Sequence, residues 1–121
     1  MKLSRNAARL SLAIALGVFV AGHAIAVDFV EAAPKQSTVL VDNEKVRVIR
    51  ATFKKGDKVP MHSHPDIVVY IVKGGKTKFT NEDGKVMESD NKTGESFFRA
   101  ATTHSHEHLG DSEAIVIELK K

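Results

Sequence analysis

Five of the six histidines in this sequence fall in two short groups, His62-Ser63-His64 and His104-Ser105-His106-Glu107-His108. Histidine is the commonest metal ligand in proteins, because its neutral imidazole offers one lone pair while a partner holds the other nitrogen. Side chains two residues apart in an extended segment share a face, so His62 and His64 can aim at one point, as can two of the later histidines. The two groups therefore predict a metal site, provided that the chain folds back to bring them together.

Short runs rich in β-branched residues, separated by turn residues, make up the chain around these groups. The predicted strands cover residues 46–53, 66–72, 76–80, 96–99 and 114–119, with turns at 55–57, 74–75 and 81–84. Runs of this length and spacing are typical of an antiparallel sandwich or barrel, and no stretch after the N-terminal region has a long 3.6-residue apolar period. The fold class is therefore predicted to be all-β.

The first and last of these strands alternate in polarity. Apolar residues stand at alternate positions in both strands: Val46, Val48, Ile115, Ile117 and Leu119. Because side chains alternate between the two faces of a sheet, we expect these residues to face the core and Arg47 and Glu118 to lie on the other face.

The N-terminal region has the pattern of a secretory signal peptide. Three basic residues and no acidic residue precede an apolar run over residues 10–22, and Ala24-Ile25-Ala26 is a small-x-small cleavage site. Ala33 is a second candidate site, and an uncleaved N-terminal anchor is the alternative interpretation. We therefore expect a signal peptide over 1–26 and a lead-in segment over 27–37, loosely ordered until it meets a single domain over 38–121. The mature protein would be periplasmic or secreted, without stable membrane association after cleavage.

The charge of the mature chain argues against a nucleic-acid partner. The predicted signal peptide contains three of the 18 basic residues and none of the 15 acidic residues, so the remaining chain is close to neutral. Binding to nucleic acid would need a basic patch in the folded domain, and the sequence contains no such stripe. The chain has no cysteine, so its stability depends on the core and on any bound metal.

Two segments of the sequence resemble the two motifs of the cupin family. Gly56-Asp57-Lys58-Val59-Pro60-Met61-His62-Ser63-His64, with the later Gly75, resembles the first motif, and Gly94-Glu95 through His104, ending at Gly110, resembles the second. The resemblance covers most of the chain after residue 37. It implies a small single-domain cupin with a jelly-roll β-barrel and a pocket at the barrel mouth.

The resemblance also implies a set of metal ligands. The family uses two histidines and a glutamate from the first motif and one histidine from the second, which correspond here to His62, His64 and His104. Val68 stands where the glutamate is expected, and Asp66 or His106 are the candidate substitutes. A site of three neutral imidazoles still suits a divalent ion such as iron, manganese, zinc or nickel, and it would keep the full charge of the ion and favour an anionic ligand.

Other polar residues near the motifs have a simpler interpretation as well. His106 and His108 are better explained as polar residues on the barrel rim, or as weak adventitious ligands for copper and nickel. Arg99, which precedes the turn leading to His104, is a candidate partner for an anion in the pocket or an outward salt-bridging residue.

Three functions remain open on the sequence alone. The first is an exported cupin that binds a divalent metal through the histidines and a small-molecule ligand in the barrel. The second is an enzyme, a metal-dependent dioxygenase with a three-histidine iron site, although fold does not fix function. The third is a structural or interaction protein without metal. Because cupins often pair through an edge strand, a homodimer is a further expectation from the resemblance.

Overall fold

The computed structural model describes residues 27–121, and the predicted signal peptide lies outside them. The strands are β1 (Val27–Asp28), β2 (Ser37–Asp42), β3 (Val46–Phe53), β4 (Lys58–His64), β5 (Ile67–Lys73), β6 (Gly75–Asn81), β7 (Val86–Asn91), β8 (Ser96–Arg99), β9 (Thr102–His108) and β10 (Ser112–Leu119), and one helical turn, α1 (Phe29–Ala32), follows β1. The prediction of an all-β protein is confirmed. Within this part of the chain, no helix is long and apolar enough to cross a membrane.

The strands form two five-stranded sheets. The first has the order β1-β4-β9-β6-β7 and the second the order β2-β3-β10-β5-β8. All neighbouring strands are antiparallel except β1 and β4, which are parallel. Several neighbouring strands are distant in sequence: β4 pairs with β9, which joins the two histidine groups, and β3 pairs with β10, which joins the two ends of the domain.

The sheets of the predicted jelly-roll β-barrel are not closed. Among residues 27–121 no ladder of hydrogen bonds joins one sheet to the other, so the molecule consists of two open sheets with the core between them. Two of the four edge strands are very short, with two residues in β1 and four in β8. Short edge strands expose few unpaired backbone N–H and C=O groups, so these edges can stay open without pairing to another strand.

The predicted inward face of β3 and β10 is wrong. Ile49, Ala51 and Phe53 are buried in β3, and Val116 and Glu118 are buried in β10, whereas the predicted set is only partly buried. Both faces of these strands carry apolar residues. Alternation therefore predicts a strand, but it does not show which face points toward the core. The buried carboxylate of Glu118 is tolerated because Arg47, on the same inner side, pairs with it.

The segment 27–37 is well packed, unlike the loosely ordered lead-in that we expected. Phe29 and Ala33 are only 2% and 1% exposed and belong to the core. Asp28 caps the helical turn, since its Oδ1 accepts a hydrogen bond of 2.7 Å from the backbone N–H of Val30. Val27 pairs with His62 in the parallel ladder of β1 and β4. This segment therefore covers the end of the core at which the first histidine pair lies.

Candidate metal centre and its pocket

The pairing of β4 with β9 brings the two histidine groups together. His62 lies directly opposite His104 in this antiparallel pair, and His64 follows two residues later on the same face. One ring nitrogen from each of the three residues lies within 4.8 Å of the other two, and all three side chains are buried. The structure thus brings together the three histidines that the cupin resemblance implied as ligands.

The hydrogen bonds of His62 determine which of its nitrogens is available. Its Nδ1 lies 2.8 Å from the carbonyl oxygen of Pro60, which can only accept, so Nδ1 carries the proton. Its Nε2 therefore keeps a lone pair, and this atom lies 3.0 Å from Nε2 of His64. The free lone pair of His62 thus points at its neighbouring histidine.

A buried carboxylate stands behind His64. Nδ1 of His64 lies 3.6 Å from Oε2 of Glu118, and neither atom has a hydrogen-bond partner within residues 27–121. The other oxygen of Glu118 accepts a hydrogen bond of 2.5 Å from Nε of Arg47. Nη1 of the same arginine lies 2.7 Å from Oδ2 of Asp28. Burial opposes ionisation of Glu118, but the adjacent His64 and Arg47 prevail and lower its pKa below the ordinary value. A negative Glu118 favours the proton on Nδ1 of His64, which directs the Nε2 lone pair away from the carboxylate.

The local electrostatics keep the imidazoles neutral. Burial lowers the pKa of His62 to about 4, partly offset by the hydrogen bond to Pro60. Burial, with the neighbouring histidines and Arg99 adding to it, lowers the pKa of His104 to about 3. At neutral pH both rings are therefore in the unprotonated form that a metal requires.

These observations fit a bound cation. Nδ1 of His62 is protonated, and if the proton of His64 also lies on Nδ1, the two Nε2 lone pairs face each other across 3.0 Å, which is repulsive unless a positive charge lies between or beside them. His104 adds a third nitrogen, and Glu118 is a carboxylate behind a ligand histidine, as is common at metal sites. The donor set is thus compatible with a divalent transition metal that has positions left for other ligands.

The two candidate substitutes for the missing glutamate, Asp66 and His106, lie in different surroundings. Asp66 does not reach the three histidines, because its Oδ1 accepts a hydrogen bond of 2.8 Å from the backbone N–H of Ala101. Val68 lies on the opposite face of β5, whereas Ile67 and Val69 are buried and line the pocket. The carboxylate nearest to the histidine cluster in space comes instead from Glu118, which the sequence analysis had placed on the outer face.

His106 and His108 are buried, and the interpretation as rim residues is wrong for both. The ring centroid of His106 is 5.1 Å from that of His62, but its Nδ1 is hydrogen-bonded to Nε2 of His108 at 2.8 Å. The ring of His108 stacks on Phe53 at 3.7 Å. Burial lowers the pKa of both rings, to about 4 for His108, so they form a second neutral pair beside the first cluster.

A cavity of about 90 Å³ adjoins the histidines between the two sheets. Its wall is mainly apolar and includes Ile67, Val69, Ile71, Val116, Phe79 and Phe97. Its charged lining residues are Lys73, Arg99 and Glu113. A mainly apolar pocket with a few polar groups is the usual form of a small-molecule site.

Two facing, mainly antiparallel sheets with histidines on the inner face place the chain among the small all-β double-sheet folds. No family model and no curated protein matches the sequence. Among solved structures, a cupin domain from Bordetella pertussis Tohama I is 26% identical, with a TM-score of 0.63 over 70% of this chain and 92% of that one. A cupin superfamily protein from Desulfitobacterium hafniense DCB-2 is 20% identical over 70% of this chain and 76% of its own, with a TM-score of 0.56.

A third similar structure is an RmlC-like cupin family protein from Methanocaldococcus jannaschii. It is 19% identical over 69% of this chain and 78% of its own length, with a TM-score of 0.57. The chain therefore has the cupin fold, and these similarities support the resemblance of its two motifs to the small cupins.

Proposed function

We propose that the protein is an exported cupin that binds a divalent metal through His62, His64 and His104 and a small molecule in the adjoining pocket. The observation that carries this proposal is the pair of Nε2 atoms, 3.0 Å apart, with both Nδ1 atoms directed at acceptors. That arrangement favours a cation, and His104 lies within reach of it.

The three imidazoles would hold the ion, which could be iron, manganese, zinc or nickel. Such an ion would supply a Lewis-acidic centre able to polarise an oxygen atom of a bound ligand. Glu118 would act through His64 by keeping its Nδ1 protonated, and the apolar wall of the pocket would exclude water around the ligand.

The proposal of export is supported by the N-terminal sequence alone. Its basic residues, apolar run and Ala24-Ile25-Ala26 follow the order of a secretory leader. N-terminal sequencing of the protein recovered from the periplasm tests this, with Val27 expected as the first residue. Recovery of the full-length chain from the membrane fraction would contradict export with cleavage and support an uncleaved anchor.

The experiment for the metal is elemental analysis of untagged protein purified from the periplasm. The comparison is with a His62→Ala/His64→Ala/His104→Ala variant, and His108→Gln is the matched control because His108 lies on β9 but outside the three-residue group. We expect close to one metal ion per chain in the native protein and in the control, and its loss in the triple variant. Trace metal in all three proteins would overturn the proposal.

A further inference from the structure

Arg99 is a cation at the pocket without an acidic partner. It ends β8 and lines the cavity beside His104. The carbon at the centre of its guanidinium lies 5.0 Å from the ring centroid of Phe79 and 5.5 Å from that of Phe97. In residues 27–121 no carboxylate lies within 4 Å of it, although Arg47 and Arg50 both have such partners. The two aromatic rings therefore hold the partly buried guanidinium in place, and no carboxylate within residues 27–121 neutralises its charge.

The other groups of the pocket do not offset this charge. The histidines of the lining cannot offset it, because an imidazole is either neutral or positively charged. Glu113 is the acidic side chain of the lining, and it lies 3.4 Å from Nε of Arg50. Lys73 adds a second cation to the wall. Even without a metal, the pocket therefore has an excess of positive charge, which favours an anion.

The size and the walls of the cavity restrict the kind of anion. A volume of about 90 Å³ has room for roughly six to nine water-sized groups, at about one group per 10–15 Å³. Aliphatic side chains, among them Ile71 and Val116, form much of the cavity wall. Such a wall suits a short carbon skeleton, and a planar guanidinium matches a carboxylate through two parallel hydrogen bonds.

We propose that the pocket binds a small organic carboxylate, with its carboxylate group on Arg99 and its carbon skeleton against the aliphatic wall. This inference rests on the proposed function, since it names the ligand class of the same pocket. The ligand then spans the distance between Arg99 and the three histidines. Arg99 fixes its orientation, and the apolar wall limits it to a few carbon atoms.

The test is calorimetric titration with acetate, propionate, malonate, succinate and inorganic phosphate. Each is titrated into native protein, Arg99→Met and Arg99→Lys, both metal-free and loaded with Zn²⁺. Arg50→Met is the matched control, because it removes a guanidinium that is already paired with Glu113. We expect at least one carboxylate to bind native protein and Arg50→Met equally, and to bind Arg99→Met at least tenfold more weakly, with intermediate binding by Arg99→Lys.

Equal carboxylate affinity in native protein and Arg99→Met would overturn the inference, as would no binding of any carboxylate in either metal state. Tighter binding of inorganic phosphate than of all four carboxylates would also overturn it. Circular dichroism and Zn²⁺ affinity of Arg99→Met establish that the variant is folded. If Zn²⁺ fails to bind but carboxylate binding still depends on Arg99, the metal proposal fails while this inference stands. If Zn²⁺ binds but no carboxylate does, this inference fails while the metal proposal stands.

Discussion

Nε2 of His62 and Nε2 of His64 lie 3.0 Å apart at the centre of the buried cluster. The carbonyl of Pro60 fixes the proton of His62 on the far nitrogen, and Glu118 favours the same arrangement in His64. The two lone pairs can then share a metal ion. In the metal-free protein the proton of His64 can instead lie on Nε2 and be donated to His62, which leaves Nδ1 of His64 and Oε2 of Glu118 buried without a hydrogen-bond partner. These unsatisfied groups are the reason to expect that a bound metal stabilises the fold.

The first prediction concerns thermal stability. A metal that binds only the folded protein at a hundredfold excess over its Kd should raise the free energy of unfolding by about 2.7 kcal/mol. For a domain of this size that amounts to an increase in Tm of roughly 10–20 °C. Differential scanning calorimetry with Zn²⁺ and with a chelator measures it. The His62→Ala/His64→Ala variant should show no such difference, and a native protein with the same Tm in both conditions would contradict a metal site.

The second prediction concerns Glu118. Glu118→Gln removes the negative charge that keeps Nδ1 of His64 protonated, and loss of such a partner weakens metal binding about 10- to 100-fold. Glu107→Gln is the control, because Glu107 lies on β9 between His106 and His108 but on the other face. Competition titration with a chromophoric chelator gives both Kd values. If the two variants bind equally well, Glu118 has no role in orienting His64.

The third prediction concerns pH in the metal-free protein. Burial lowers the pKa of His62 and His108 to about 4, against an ordinary value of 6.5. Between these values the unfolded chain binds more protons than the folded one, so stability rises with pH and is lost as pH falls from 6.5 to 4. Each such histidine contributes up to about 1.4 kcal/mol per pH unit.

Urea unfolding at several pH values between 4 and 6.5 measures this slope. The variant His108→Gln should show a shallower slope than the native protein, since one histidine no longer titrates on unfolding. A free energy of unfolding that stays constant over this range would show that the histidines are accessible to protons in the folded state.

The fourth prediction concerns Phe29. Its ring lies 5.2 Å from that of His62 and 5.0 Å from that of His64, and it is 2% exposed. Phe29→Ala should lower the free energy of unfolding by about 3–5 kcal/mol, the usual effect of deleting a buried aromatic ring. Phe98→Ala is the control, because Phe98 is 60% exposed, and its effect should stay within about 0.5 kcal/mol. Equal effects of the two substitutions in urea unfolding would show that Phe29 is not a core residue in solution.

The convergence of the three histidines was predictable from the alternation of side chains along a strand together with the motif resemblance. Alternation along an extended segment puts His62 and His64 on one face, and the motif resemblance adds His104. The strands β4 and β9 were not predicted as strands, since their inward residues are histidines and their patterns lack the usual apolar alternation. In this protein the polar residues of the site interrupt the apolar alternation from which their own strands would have been predicted.

The role of Glu118 was not predictable from periodicity. β10 has apolar residues on both faces, so a charged residue among them looks like a solvent-exposed position. Only the tertiary structure shows that Arg47 on β3 and His64 on β4 surround this carboxylate. An isolated acid within the run Ile115-Val116-Ile117-Glu118-Leu119 was the available signal, since both flanks of a surface acid are rarely so apolar.

A continuous line of contacts runs from Asp28 through Arg47 and Glu118 to His64. Processing after Ala26 leaves this line complete, whereas processing after Ala33 would delete Asp28 together with the aromatic cover supplied by Phe29. The choice of the peptidase would then decide whether the released chain is competent to hold its metal. If the chain is exported and binds a metal as proposed, the position of cleavage would decide whether the three histidines, nearly forty residues downstream, keep this support.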